Sequence, residues 1–482
     1  MNVQADSPRD PLDAWLAYAS TSEIDTLSRA DRNAPIPASH AQRGMWFAQQ
    51  VAEADDCSLT IHQVYRLDGL LHVEALTRAF DVLVERHEVL RTGFAMGGLD
   101  LVQVIGAPGE SLVEVVQVSA GSHLDQQVRE FVGRPFDLDC GPLLRARLFC
   151  TGEQTHTLAV AFHHIAADGW SMGIFHVELA ALYRAACGAG PDRSLHLAEL
   201  AGLPELAIQY PDYAAWQREL AEDGEEYAES LALWQARLAG APASTALPTD
   251  RPRSTLRTAA GGRVRSLIRP DDVEAVTKVA ASHGTTAFTV FFAAFQALLA
   301  ARCDQYDLVT GVTVANRQLP ETEPLIGFLV NVLPVRTRHT PTTAFADFLR
   351  TCVERLREAY DHSEVPLELV LEKLDLPRTP GLKPLIQVTV AALQDSADLH
   401  LDGLSVEHVP PDRRHVHDDL TLYVGTTPEG GVVELDYQSC LFDHETVVAL
   451  SQAYVRLLVA ACANVDQPLD VLAEAAGIGH AL

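Results

Sequence analysis

His163-His164-Ile165-Ala166-Ala167-Asp168-Gly169-Trp170-Ser171 joins a strand to a helix, and that join decides the fold. The preceding Leu158–Phe162 run is apolar and of strand length, so it reads as a buried strand. Met172, Phe175, Leu179 and Leu182 then recur at helical spacing, so an amphipathic helix follows. A pair of imidazoles, a carboxylate and a glycine therefore share one loop. Successive strand side chains point to opposite faces, so only one of His163 and His164 can face a given cavity if both continue the strand. Taken alone, a histidine pair in such a loop is more often a satisfied core or surface feature than a catalyst.

Size and composition fit a large enzyme. A chain of 482 residues is too long for one compact core, and 48% hydrophobic content is ample for two. The net charge of −29 argues against nucleic acid, whose phosphates need a basic surface, and otherwise reads as solubility. Arg251, Arg253, Arg257, Arg263 and Arg265 form one cationic run, read as a solvated turn or else as a docking or phosphate contact. No apolar stretch of about 18 residues is free of charge, so no membrane span is expected. The polar, acidic Met1–Asp13 segment is not a signal peptide. The eight cysteines form no C-x-x-C pair, so reduced cytoplasmic thiols are expected and no metal site.

Along the chain, residues 1–34 read as an extension with a short helix near Leu12–Ala19. Val73–His87 presents Leu76, Phe80, Leu83 and Val84 as a helix face, and Val113–Val118 reads as a strand. Tyr210–Leu238 is helical, and the Gly-, Ala- and Pro-rich 239–253 is a crossing loop before a second lobe near Gly261. Thr285-Thr286 caps an apolar helix over Ala287–Ala301. Leu308–Val314 and Ile386–Val390 are strands, Val432–Tyr437 alternates as a half-exposed one, and Glu445–Ala461 is a closing helix. The elements together give an α+β protein of two lobes.

The loop resembles the active-site signature His-His-x-x-x-Asp-Gly of condensation domains of nonribosomal peptide synthetases, within the chloramphenicol-acetyltransferase-like superfamily. Further motifs of that family appear in family order. Ser39-His40-Ala41-Gln42-Arg43-Gly44-Met45-Trp46 is similar to the first, and Arg86-His87-Glu88-Val89-Leu90-Arg91-Thr92-Gly93-Phe94 to the second. Tyr210-Pro211-Asp212-Tyr213-Ala214-Ala215-Trp216 and Ile326–Arg336 resemble the fourth and fifth. The resemblance spans roughly residues 35–465. Two stretches depart from the pattern: His362-Ser363-Glu364-Val365-Pro366-Leu367-Glu368, and Pro380-Gly381-Leu382-Lys383-Pro384.

The resemblance implies two acyltransferase-like lobes, 35–195 and 196–482, in a V shape around a central channel. It implies a condensation enzyme of natural-product biosynthesis. Such an enzyme moves an acyl or aminoacyl group from a carrier-protein phosphopantetheine thioester to an amine or hydroxyl, making an amide or an ester. His164 then stands as the proton acceptor or acceptor-orienting group, and the Gly169 N–H as an oxyanion donor, with His163 fixing the loop. Asp168 is expected in a salt bridge with Arg317, with Arg91 as the rival partner, and Trp170 in the core. No cofactor is implied beyond the phosphopantetheine arm that an acyl or peptidyl carrier protein delivers; neither nucleic acid nor membrane is a partner. With no adenylation motif and no Gly-x-Asp-Ser carrier site, the pattern is that of a free-standing enzyme or an excised domain. An acyl-CoA-dependent acyltransferase of the same superfamily and a non-catalytic docking member are the alternatives.

Overall fold

A computed structural model describes residues 27–51, 57–109, 112–119, 123–188, 197–223, 225–253, 260–377, 379–393, 398–410, 414–427 and 429–478. The helix expected near Leu12–Ala19 and the side chain of Arg257 lie outside these residues. The N-terminal half contributes strands β1 (Ile36–Pro37), β2 (Thr60–Gly69), β3 (Thr92–Gly97), β4 (Asp100–Ile105), β5 (Val113–Gln117), β6 (Leu144–Cys150) and β7 (Thr155–His163). The remainder contributes β8 (Ala260–Ile268), β9 (Asp307–Val314), β10 (Asn331–Arg338), β11 (Val388–Ala392), β12 (Leu404–His408), β13 (Arg414–His415), β14 (Leu420–Thr427) and β15 (Gly430–Gln438). Most strand pairs are antiparallel and the helices pack on the sheets, so the architecture is α+β.

The first large sheet has the order β12-β2-β7-β6-β5. Its central strand β7 carries the apolar Leu158–Phe162 run, buried on both faces as a central position demands. β7 pairs antiparallel with β2, Thr60 opposite His163, and with β6, Leu144 opposite Phe162. The helices Val73–Arg86 and Gly169–Gly188 cover one face, with Phe175 edge-on to Phe162 at 5.1 Å and tilted against Phe80 at 5.9 Å. A fully buried Phe stabilises by about 1.5–3 kcal/mol, so this aromatic trio fixes the angle at which the helix leaves the site loop. One edge strand, β12, comes from far along the chain, with Leu404 opposite Gly69.

The second large sheet has the order β10-β9-β11-β14-β15-β8-β13 and packs on the helices Ala287–Cys303, Phe345–Asp361 and His444–Ala463. Thr286 caps the first of these, its Oγ1 accepting from the Thr289 N–H at 3.3 Å. His444–Ala463 is long and apolar enough to cross a membrane, yet Tyr454, Leu457 and Leu458 are buried in this core, and Tyr454 packs edge-on to Phe295 at 5.6 Å. The passage between the cores runs along the helices Tyr210–Asp223 and Glu225–Leu238. Tyr210, Tyr213 and Ala214 belong to the first core, and Tyr227, Trp234 and Leu238 to the second.

Two expectations are corrected here. β15 is not half-exposed: all nine of its residues are buried. The reason is charge pairing across the sheet, where Arg263 on β8 holds both Asp436 and Glu434. The cationic run is only in part the solvated turn expected: Arg251 and Arg265 are exposed, but Arg263 and Arg265 lie on strand β8 rather than in a turn. Arg251 pairs with Asp443, Arg253 with Asp419, and Arg265 lies 3.7 Å from Glu434. These pairs tie the crossing segment and β8 to the second sheet.

Candidate active site

The site grows from the end of β7. His163 keeps extended geometry, φ −81° and ψ 135°, as its last residue. The chain then tightens into a single 3-10 turn, His164–Ala166, so the alternation of faces stops at His164. His163 is 2% exposed. Its Nδ1 accepts from the Ile165 N–H at 3.1 Å, which leaves the ring proton on Nε2, facing Gln49 Oε1 at 3.5 Å. Burial, with the nearby His164 and Arg145, pushes its pKa down to about 3. His163 is thus a buried neutral group that locks the turn.

The buried ring makes stability depend on pH. Unfolded, His163 protonates near its ordinary value of about 6.5; folded, it resists protonation until about 3. Its share of stability is complete above the unfolded pKa and is lost as pH falls through that window. The thermal midpoint of the wild type should therefore fall more steeply between about pH 6.5 and 4 than that of His163→Asn, whose Oδ1 can still accept from Ile165. Parallel midpoint-against-pH curves for the two proteins would contradict this.

His164 is half-buried and turns the other way. Its Nδ1 donates to the Ala167 carbonyl at 2.8 Å, so the neutral ring carries its lone pair on Nε2. Burial lowers its pKa, against a smaller upward pull from Asp168 and from backbone bonds. Around it stand residues of the C-terminal half. The Phe328 ring is edge-on at 5.2 Å, and the His417 ring lies at 6.2 Å.

Asp168 closes the turn and starts the helix Gly169–Gly188. Its Oδ1 accepts from the Ser171 N–H at 2.9 Å, the bond an N-cap residue makes to the third helical position. The Ser171 hydroxyl lies 2.7 Å from the same oxygen, 3.0 Å from the Gly327 carbonyl and 3.1 Å from the Gly327 N–H. Asp168 is fully buried, and its cation is Arg317: Nη1 to Oδ2 at 2.9 Å, Nη2 to Oδ1 at 3.1 Å. This two-pronged geometry is the strongest that an arginine and a carboxylate make. The Leu329 N–H adds a further bond to Oδ2 at 3.1 Å. Burial alone would raise the Asp168 carboxyl, but the Arg317 charge and the bonds from Arg317 and Ser171 outweigh it and hold it below the ordinary carboxylate range. Arg91 lies elsewhere and donates to the Gly106 carbonyl at 2.5 Å.

Gly327 is the close approach in this junction. A Cβ there would stand 2.1 Å from the Tyr210 ring. Tyr210 cannot step aside, because its hydroxyl donates to the Phe328 carbonyl at 2.8 Å and meets Ser39 Oγ at 2.9 Å. Gly327→Ala should therefore push the 325–329 loop off Ser171 and Asp168. The expected loss is about 1–3 kcal/mol of stability, measured by urea unfolding. An unchanged midpoint would show that the junction yields without cost.

Gly169 is the first residue of its helix and is exposed. Trp170 is not a core residue: it is 37% exposed, its Nε1 donates to the Glu323 carbonyl at 3.0 Å, and its ring lies over Arg317 at 5.6 Å. Its polar tip has a backbone partner at the surface, which a position inside the core would have to supply. The sequence alone points to neither Phe328 nor His417 as neighbours of His164. Both arrive on loops from the distant C-terminal half; Phe328 falls within the fifth-motif stretch Ile326–Arg336, and no local pattern marks His417. Among the departing motifs, His362 and Glu364 bind Ser230 Oγ at 2.8 and 2.6 Å and fasten the helix Glu225–Leu238.

A family model for the condensation domain matches residues 33–474. Tyrocidine synthase 2 of Brevibacillus parabrevis is 33% identical over 449 residues, a match covering 92% of this chain but 12% of that protein. The chain thus spans only a small part of such relatives. Among solved structures, the X-domain in complex with OxyB from teicoplanin biosynthesis superposes with a TM-score of 0.84 at 28% identity, covering 94% of this chain and 98% of the other. SgcC5 from Streptomyces globisporus superposes with a TM-score of 0.70 at 25% identity, covering 90% and 100%. With residues 33–474 matched by the family model, and with the His-His-x-x-x-Asp-Gly loop folded around one bidentate ion pair, the chain belongs to the condensation-domain family.

Proposed function

We propose that the chain transfers an acyl or aminoacyl group from a carrier-protein phosphopantetheine thioester to an amine or hydroxyl acceptor. The observation that carries this reading is His164. Its Nδ1–H is held by the Ala167 carbonyl, its Nε2 lone pair points away from that bond, and burial keeps the ring neutral. As the acceptor attacks the thioester carbonyl, its proton passes to Nε2 and the new C–N or C–O bond forms. The tetrahedral oxyanion meets the Gly169 N–H at the positive end of its helix. Collapse breaks the C–S bond, and the thiolate leaves with the proton from His164. No protein nucleophile is needed, because the donor arrives already activated. Asp168 and Arg317 hold Gly169 in place without entering the chemistry. A V of two lobes around a channel belongs to the same reading; its support is that His164 meets Phe328 and His417 from the other half.

A second reading, a docking member that recruits another protein, is favoured by the X-domain relative, whose structure is a complex with OxyB. One assay separates the readings. The purified protein is given an acyl donor loaded on a carrier protein, or the equivalent CoA thioester, with amine and alcohol acceptors. Product from the carrier-bound donor alone supports the proposal. Product from CoA alone indicates an acyl-CoA-dependent acyltransferase. No product from either donor, with tight binding of a second enzyme, indicates the docking member.

A further inference from the structure

Behind His417 lies a polar cluster that the chemistry above does not use. Lys383 Nζ donates to Asp418 Oδ1 at 2.6 Å, and Thr389 Oγ1 donates to Asp418 Oδ2 at 2.8 Å, with Thr421 Oγ1 3.0 Å from Thr389 Oγ1. These groups sit where the parallel strands β11 and β14 begin, with Val388 opposite Leu420. The Asp418 side chain is 15% exposed and that of Lys383 33%, so the pair is drawn out of bulk water without being sealed in the core. Lys383 belongs to a stretch that departs from the family pattern. His417, directly before Asp418, is half-exposed and meets the His164 ring.

We propose that His417 is the acceptor-facing wall of the site and that His417, backed by the Lys383–Asp418–Thr389 cluster, selects an amine acceptor over an alcohol; this rests on the acyl-transfer reading above. The chemistry distinguishes the two acceptors. A neutral amine brings two hydrogens to the attack. One goes to His164 Nε2, and the second needs another acceptor, which a ring nitrogen of His417 supplies. An alcohol brings a single hydrogen and has no use for the second imidazole. Asp418 is a positioning residue. Its carboxylate is held by Lys383 and Thr389 and fixes the segment that carries His417. Bonds balance as before: C–N forms, C–S breaks, and one proton travels from nitrogen through His164 to the departing thiolate, while the hydrogen on His417 stays with the amide product.

The test uses the whole chain, one acyl donor loaded on a carrier protein, and an amine and an alcohol of the same carbon skeleton. His417→Ala should lower kcat/KM for the amine about tenfold or more, the scale of one lost hydrogen bond, and lower it for the alcohol by much less. His417→Asn, which restores an acceptor atom, should recover part of the amine rate. Asp418→Asn, which weakens the hold of Lys383 on the segment carrying His417, should lower kcat/KM for the amine in the same direction as His417→Ala and by less, and spare the alcohol. Equal losses for the amine and the alcohol, or no loss at all, with thermal midpoints unchanged, would overturn the assignment of His417. Failure of the wild type to make any product from a carrier-bound donor would remove the acyl-transfer reading itself, and the selectivity with it.

Discussion

Turnover should fall at least a hundredfold when His164 is replaced by alanine, with the fold retained. A positioned general base contributes about 10²–10⁴-fold, and His164 is the group in the loop that presents a neutral imidazole lone pair at a half-open position. The structural cost should be small by comparison. His164 is half-buried, and its side-chain bond goes to Ala167, within the same turn. Steady-state rates with a carrier-bound donor, paired with thermal midpoints, check both halves. A large rate loss with an equally large drop in midpoint would place His164 among the structural residues. His163→Ala should show the reverse balance: it removes the acceptor of the Ile165 N–H from the core and leaves Nε2 of His164 in place.

Breaking the Asp168–Arg317 pair from either side should cost about 3–5 kcal/mol, because the remaining charge stays buried without its partner. That is a large share of the ~5–15 kcal/mol by which a domain is stable. Asp168→Ala strands the guanidinium, which keeps the carbonyls of Ala315, Leu325 and Gly327 and the Ser171 hydroxyl but no carboxylate. Arg317→Ala strands the carboxylate, which keeps the Ser171 and Leu329 donors. The double variant should lose less than the sum of the two, since it strands nothing. Urea unfolding of the three variants measures the coupling; strict additivity would deny it. Activity should fall in all three as the Gly169 turn loosens. The Asp168 contribution also has a pH sign. Its folded pKa is depressed, so its stabilisation is present above about pH 4 and is lost as pH falls below that.

What the sequence makes legible follows from how local each cause is. The β7–loop–helix join is readable because the apolar run and the 3.6-residue spacing lie side by side in one stretch. Thr286 is readable as a cap because capping is settled within four residues. β15 reads wrongly as half-exposed because its alternating Glu434 and Asp436 look solvent-facing, and only the pairing with Arg263 on another strand removes them from water. Trp170 reads wrongly as core because an aromatic beside a helix start looks apolar until its Nε1 partner, the Glu323 carbonyl, is placed. β12 cannot be read into the first sheet at all, since its partner β2 lies far earlier in the chain. Arg317 is reachable through the family pattern and not through any spacing. His417 is reachable by neither, because its position beside His164 is created by the docking of two remote loops.

Whether His164 takes the proton decides the reaction. The direct measurement is single-turnover transfer from a carrier-bound acyl thioester, followed by the intact mass of the carrier across pH, for the wild type and His164→Ala. Because burial holds the His164 pKa below its ordinary value of about 6.5, the wild-type rate should be flat above that pH and should decline as His164 protonates at lower pH. His164→Ala should unload the carrier at the background rate, with no such limb. A variant that unloads the carrier as fast as the wild type, with the same pH profile, would contradict the assignment of His164 as the base.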